Sequence, residues 1–128
     1  MHPYIDADAC PRPIKDIIYR AAERRRLHTT FVANSPLKLP PSDYLHFLQV
    51  EKGFDVADQK IVDLIQPGDL VITADIPLAA AVVEKEAYAL NPRGDFYTED
   101  NFREKYHHRI SISKKETWEN NTNLYRNL

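Results

Sequence analysis

Tyr4-Ile5-Asp6-Ala7-Asp8-Ala9-Cys10-Pro11 is the stretch whose reading decides the fold. Pro3 to Asp6 reads as a short buried strand, and the chain then runs straight into a helix. Two carboxylates, Asp6 and Asp8, stand at this junction two residues apart. Residues so spaced in an extended segment point to the same side. Both acids are therefore expected to face one small volume at the strand's carboxyl end. In an open α/β sheet that edge is where ligands bind.

Working outward, Pro11 and Pro13 suit a helix's first turn, where a missing amide donor does little harm. Ile14, Ile17, Ile18, Ala21 and Ala22 follow at helical spacing, so an amphipathic helix is predicted to about Arg26. The run Arg24-Arg25-Arg26 fits a solvated helix end that complements the dipole. Thr29 to Ala33 is rich in β-branched residues and predicts a second strand. Asn34 to Asp43 holds three prolines and no apolar period, the mark of a loop. Tyr44 to Val50 predicts a third strand, Asp55 to Gln66 a second helix, and Leu70 to Thr73 a fourth strand. Ile76 to Glu86 predicts a helix apolar nearly all round at its start and hence well buried. Tyr88 to Leu90 predicts a short fifth strand, and Thr98 to Tyr106 a last helix.

That alternation predicts a three-layer α/β sandwich with a mostly parallel sheet. Right-handed crossovers then bring most strand carboxyl ends to one edge. The 128 residues suffice for one domain. Residues 1–110 are assigned to it, and 111–128 to a polar tail or arm.

Composition narrows the function classes. With 43% hydrophobic and 28% charged residues the chain is ordinary for a globular protein. The net charge of −2 supplies no global field for nucleic acid, so such a partner must be held by a local patch or a metal. The single cysteine, Cys10, excludes an internal disulfide framework and fits a reducing compartment. No apolar run is long enough to span a bilayer. No basic segment followed by an apolar one opens the chain, so no secretory leader is expected and a cytoplasmic location is.

More acids are expected at the carboxyl edge. Thr73-Ala74-Asp75 ends the fourth strand, placing Asp75 at a second strand-to-helix junction. Asp58, in the first turn of the second helix, lies beside its apolar stripe and can look over the same edge. Two carboxylates about 5 Å apart at an effective dielectric of about 20 repel by roughly 3 kcal/mol. Such acids either keep protons or hold a cation. An all-oxygen set favours Mg²⁺ or Mn²⁺ over zinc. That chemistry suits phosphodiester hydrolysis, with a metal polarising the phosphoryl group and an Asp taking a proton from water. Asp6, Asp8, Asp58 and Asp75 are the candidate ligands.

Each acid also has a plainer reading. Asp55 with Asp58 fits a helix N-cap with an acid in the first turn, which is preferred for Asp55. Asp75 can cap the third helix and Asp8 the first. Asp6 has no obvious structural task. Cys10 reads as a small packed side chain rather than a nucleophile, since no histidine is placed near it. His107-His108 reads as solvated surface. Asn34 after the second strand and Arg93 in the turn Asn91-Pro92-Arg93-Gly94 sit near the carboxyl edge, where each can contact phosphate or simply form a turn.

Several strings point beyond these separate readings: Asp6-Ala-Asp-Ala-Cys-Pro11, Tyr19-Arg-Ala-Ala-Glu-Arg24, Val32-Ala-Asn34, Gly53-Phe-Asp-Val-Ala-Asp58, Gly68-Asp-Leu-Val-Ile-Thr-Ala-Asp-Ile-Pro-Leu-Ala79 and Ala89-Leu-Asn-Pro-Arg-Gly94. They resemble the YaiI/YqxD family of uncharacterised bacterial proteins, over Ile5 to about Tyr106. That family is similar to PIN-like nuclease domains of the NYN branch. The resemblance implies sheet order 3-2-1-4-5 and an acidic Mg²⁺ or Mn²⁺ site. It matches Asp6 to the acid after strand one, Asp58 to the acid on the middle helix with Asp55 beside it, and Asp75 to the acid after strand four with Thr73 as accompanying hydroxyl. Asp8 stands where many such chains have a small polar residue. Residues beyond Ser111 depart from the pattern.

The reading is a metal-dependent nuclease, an endoribonuclease acting on RNA. One alternative is a non-catalytic binding module whose acids cap helices. The other is a phosphatase of the haloacid-dehalogenase kind, suggested by Asp6-Ala-Asp8, which needs a lysine and a paired-acid motif that the sequence supplies poorly.

Overall fold

The computed structural model describes residues 1–98. Beyond Thr98, the expected final helix and the polar segment from residue 111 lie outside the described residues. Five strands, β1 (Pro3–Asp6), β2 (Thr29–Ala33), β3 (Leu45–Gln49), β4 (Leu70–Ile72) and β5 (Tyr88–Leu90), form one sheet in the order β3-β2-β1-β4-β5. All four pairings are parallel. Helices α1 (Arg12–Arg25), α2 (Val56–Leu64) and α3 (Ile76–Glu84) cover the two faces. The expected α/β sandwich and its strand order are therefore found, each element within two residues of its predicted ends.

Alternation along each strand sorts the core into two layers. Phe47, Phe31, Ile5, Ile72 and Leu90 are register neighbours across all five strands. This row packs against Ile14, Ile18, Tyr19 and Ala22 of α1. Val32 and Val71 point the other way, into a larger cluster with Ile61, Leu78, Ala79, Val82 and Val83 of α2 and α3. Phe31 and Ile5 are fully buried. Truncating such an aromatic to Ala costs about 3–5 kcal/mol. Ile17 departs from the expected stripe and is 53% exposed. The 14-18-22 row of α1 meets the sheet, and Ile17 lies a quarter-turn off it.

Helix ends follow local chemistry. Arg26, with φ 53°, closes α1 by donating its amide to the carbonyls of Ala22 and Glu23, with Arg24 and Arg25 in the last turn. α3 stops two residues short of the predicted end, because Lys85 already turns out of the helix and Glu86 takes φ 64°. The Gln66–Asp69 turn brings β4 back, and Asp69 accepts amide hydrogens from His2 and Gln66, both at 2.9 Å.

The order places β1 between β2 and β4. The chain winds one way through β1, β2 and β3, then crosses back through α2 to β4. The carboxyl ends of β1 and β4 thus flank the sheet's switch point, where crossovers diverge and leave a crevice.

Candidate active site

Asp6 ends β1 at that switch point. It pairs in register with Val32 and shares the parity of Tyr4, so its side chain goes to the face covered by α2 and α3. It is only 5% exposed. Its carboxylate accepts the Thr73 hydroxyl at 2.8 Å. Burial, and then the negative charges of Asp75 and Asp8, push its pKa up, while the Thr73 hydrogen bond opposes the rise.

Thr73 follows β4 and is 1% exposed. All of its polar groups are engaged. Its amide donates to Leu90 at 3.0 Å, its hydroxyl accepts the Asp75 amide at 2.9 Å, and its carbonyl accepts the Tyr97 hydroxyl at 2.9 Å. One residue, through its side chain and its backbone, therefore joins β1, β5, the start of α3 and the segment after β5. The Thr73–Asp75 amide bond holds the backbone turn that carries Asp75 to the rim.

Asp75 is the N-cap of α3, and its Oδ1 accepts the Leu78 amide at 3.0 Å. The capping alternative is thus realised for Asp75, and an N-cap of this kind contributes about 1 kcal/mol. The cap engages Oδ1, and Asp75 also meets Asp58 from the first turn of α2. Burial pushes the pKa of Asp58 up to about 7, reinforced by the charges of Asp75 and Asp6 and by a side-chain hydrogen bond to Asp75. The sign of that last effect makes protonated Asp58 the donor and Asp75 the acceptor. Asp6, Asp58 and Asp75, from three different elements, are accordingly within one another's electrostatic reach.

Asp8 is arranged differently. The extended backbone stops at Asp6, and Ala7–Ala9 form a 3-10 turn, so two-residue alternation does not carry Asp8 alongside Asp6. Its carboxylate instead accepts the amides of Asn34 at 2.7 Å and Ser35 at 3.4 Å, bracketing the end of β2. Nor does it cap α1, whose N-cap residue is Pro11. Asp55 stands at the N-cap position of α2 with φ 60°, but its side chain makes no capping bond. It is exposed and adds to the charge acting on Asp58. Phe54, just before it, is 95% exposed.

Asn34 accepts the Ser35 hydroxyl through its side chain at 3.2 Å and is part of the Asp8 bracket. Arg93 lies exposed in the turn after β5, where the Asn91 side chain accepts the amides of Arg93 and Asp95. That turn chemistry is the one expected of Asn. Cys10 packs in the α1-side core, and burial pushes its thiol pKa up, which disfavours a thiolate. Lys85 donates to the Val62 carbonyl at 2.5 Å and Lys60 is exposed on α2, so neither supplies the lysine a dehalogenase-type phosphatase requires beside Asp6.

The donor chemistry of the crevice fits a hard divalent cation: carboxylate and hydroxyl oxygens, crowded enough to retain a proton. Among the described residues, however, no group of three or more His, Cys, Asp and Glu side chains stands ready to hold a metal ion. In this arrangement the Asp58–Asp75 proton relieves the repulsion that a cation would otherwise relieve. Binding one requires that proton to leave.

A family model described as "Uncharacterized BCR, YaiI/YqxD family" matches residues 4–123. The chain belongs to the YaiI/YqxD family. It is similar to the UPF0178 protein of Dechloromonas aromatica, 61% identical over 105 residues that cover 82% of this chain and 70% of that one. The UPF0178 protein of Hahella chejuensis is 59% identical over the same shares. A UPF0178 protein of Shewanella sp. strain ANA-3 is 61% identical over 102 residues, 80% of this chain and 68% of that one. These names state no activity. No solved structure matches the chain.

For this YaiI/YqxD protein, the residue that sequence reasoning missed is Tyr97. Its hydroxyl reaches Thr73 because Leu90 bridges Phe96 antiparallel just after β5. No spacing rule connects residues 73 and 97. Among the described residues no helix is long and apolar enough to cross a membrane.

Proposed function

We propose that this protein hydrolyses phosphodiester bonds of RNA at the Asp6–Asp58–Asp75 crevice with a bound Mg²⁺ or Mn²⁺. The observation that supports this best is the meeting of three carboxylates from β1, α2 and the β4–α3 junction at the switch point. Burial, reinforced by the charges of Asp75 and Asp6, raises the pKa of Asp58 to about 7. A nuclease of PIN-like type needs such a convergence.

Asp6 and Asp75 would hold the cation, with Asp58 beside them and Asp8 as a further candidate. When bound, the cation supplies charge stabilisation of the phosphoryl oxygens and a water of lowered pKa. Thr73 orients Asp6 by donating its hydroxyl. Asp58, once its proton has been displaced, would be the carboxylate placed to accept a proton from the attacking water. Asn34, Asp55 and Arg93 lie outside the acid cluster on the same rim, and the exposed Arg93 guanidinium suits a substrate phosphate.

The deciding experiment is cleavage of a labelled RNA by wild type and Asp6→Asn with Mn²⁺ and with chelator. Wild-type cleavage that stops with chelator and falls roughly a hundredfold or more in the variant is expected. Equal rates in wild type and variant remove the assignment. A second reading, a non-catalytic binding module, draws on the cap that Asp75 makes and the bracket that Asp8 makes. It predicts no cleavage by either protein.

A further inference from the structure

Away from the acids, a cleft of about 490 Å³ lies between α1 and the proline-rich loop after β2. Arg12, Lys15, Asp16 and Tyr19 form its α1 wall, and Leu37 and Lys38 are among the loop residues opposite. Arg12, Lys15 and Tyr19 recur at helical spacing and share one face for two turns. Three cations face a single carboxylate here, in a protein whose net charge is −2. The positive charge is therefore concentrated locally.

Both ends of the loop are fastened. Asp8 accepts the amides of Asn34 and Ser35 at one end, and Ser42 donates to Glu23 of α1 at the other. Between them Leu37 and Leu39 pack onto the core layer that contains Tyr19. The cleft is consequently preformed, with an apolar floor and a basic lip. Its loop wall starts at the sheet's carboxyl edge, the edge that carries Asp6 and Asp75, where Asp8 holds the amides of Asn34 and Ser35 next to Pro36.

We propose that this cleft binds a stretch of single-stranded nucleic acid, with Arg12, Lys15 and Lys38 on its phosphates and the Tyr19–Leu37 wall against an unstacked base, and delivers the strand to the acid rim. The last clause rests on the hydrolytic reading of that rim; the binding itself does not. Duplex is disfavoured because its bases are stacked inward and cannot use an apolar wall. The cations also line a cleft between helix and loop instead of standing on a convex face.

The test is fluorescence anisotropy of a labelled oligouridylate of about 12 nucleotides against the full chain, with chelator present so that the strand stays intact. The variants are Lys15→Glu/Lys38→Glu and Lys15→Arg/Lys38→Arg, each checked by circular dichroism. Wild type is expected to bind with a log–log salt slope of about 2, from three phosphates at about 0.7 each. The charge reversal is expected to weaken binding tenfold or more and remove most of that slope, while the arginine pair restores both. Unchanged binding in the charge reversal overturns the proposal, as does tighter binding of a duplex of equal length. Equal displacement by polyglutamate, the sign of a general anion sink, overturns it too. Lysine-dependent binding without any RNA cleavage upholds the cleft and removes the hydrolytic reading. Cleavage with lysine-independent binding does the reverse.

Discussion

Replacing Asp58 by Asn removes a charge that the folded protein tolerates poorly. Asp58 has an ordinary pKa of 3.8 in the unfolded chain and about 7 in the fold. A raised carboxyl pKa means that the native state takes up a proton that the unfolded state does not. Stability is then fully penalised above about pH 7 and recovers as pH falls toward 4. The full shift corresponds to a ceiling of about 4 kcal/mol. Asp58 is only half-buried, and solvent screening reduces this to about 1–2 kcal/mol. An Asn amide keeps a donor for Asp75 and cannot ionise. Asp58→Asn is therefore expected to be more stable than wild type at pH 8, with a urea midpoint about 0.5–1 M higher. The gap should narrow by roughly half as pH is lowered to 5, where Asp58 is protonated in the fold but still ionised in the unfolded chain, and close only below about pH 4. Urea titrations followed by circular dichroism at both pH values measure it. A variant less stable than wild type at pH 8, or a gap of the same size at both pH values, would refute the reasoning.

Other expectations concern the same crevice. Thr73→Val keeps the shape but leaves buried Asp6 without its donor. A loss of about 2–3 kcal/mol is expected, read as a melting temperature roughly 8–12 °C lower. Tyr97→Phe removes one hydrogen bond to the Thr73 carbonyl and should cost about 1 kcal/mol in the same melt. Because Asp58 must release its proton, Mn²⁺ titrated by calorimetry should bind more tightly at pH 8 than at pH 6. The heat should vary with the buffer's own ionisation enthalpy, and Asp6→Asn should abolish the signal. Phe54→Ala should leave the urea midpoint unchanged within about 0.5 kcal/mol, since that ring is almost wholly in solvent.

The layered fold was legible because its signals are local. The β-branched run in Thr29–Ala33 and the apolar surround of Ile76–Glu84 each name an element without reference to any other. The convergence of Asp6, Asp58 and Asp75 was anticipated from junction placement, since strand-to-helix turns at one sheet edge are close whatever lies between them. The orientation of single side chains was not. Asp8 is held on the Asn34 and Ser35 amides, because a three-residue 3-10 turn interrupts the extended spacing, and nothing in Ala7-Asp8-Ala9 announces it. Asp55 took the cap position without making the cap, because its backbone adopted φ 60°. The basic cleft was hidden for another reason. Nothing in the spacing of Arg12 and Lys15 along the helix shows that the loop 36–41 lies opposite them.

The central position of β1 bears on how the protein is made. The earliest of the described strands has its neighbours at residues 29–33 and 70–72, so one flank stays open until β4 has been made. Asp6 meets its hydroxyl partner only when residue 73 emerges, and the lock on that partner comes later still, with Tyr97. A nascent chain that has not reached residue 75 lacks one of the three acids of the cluster.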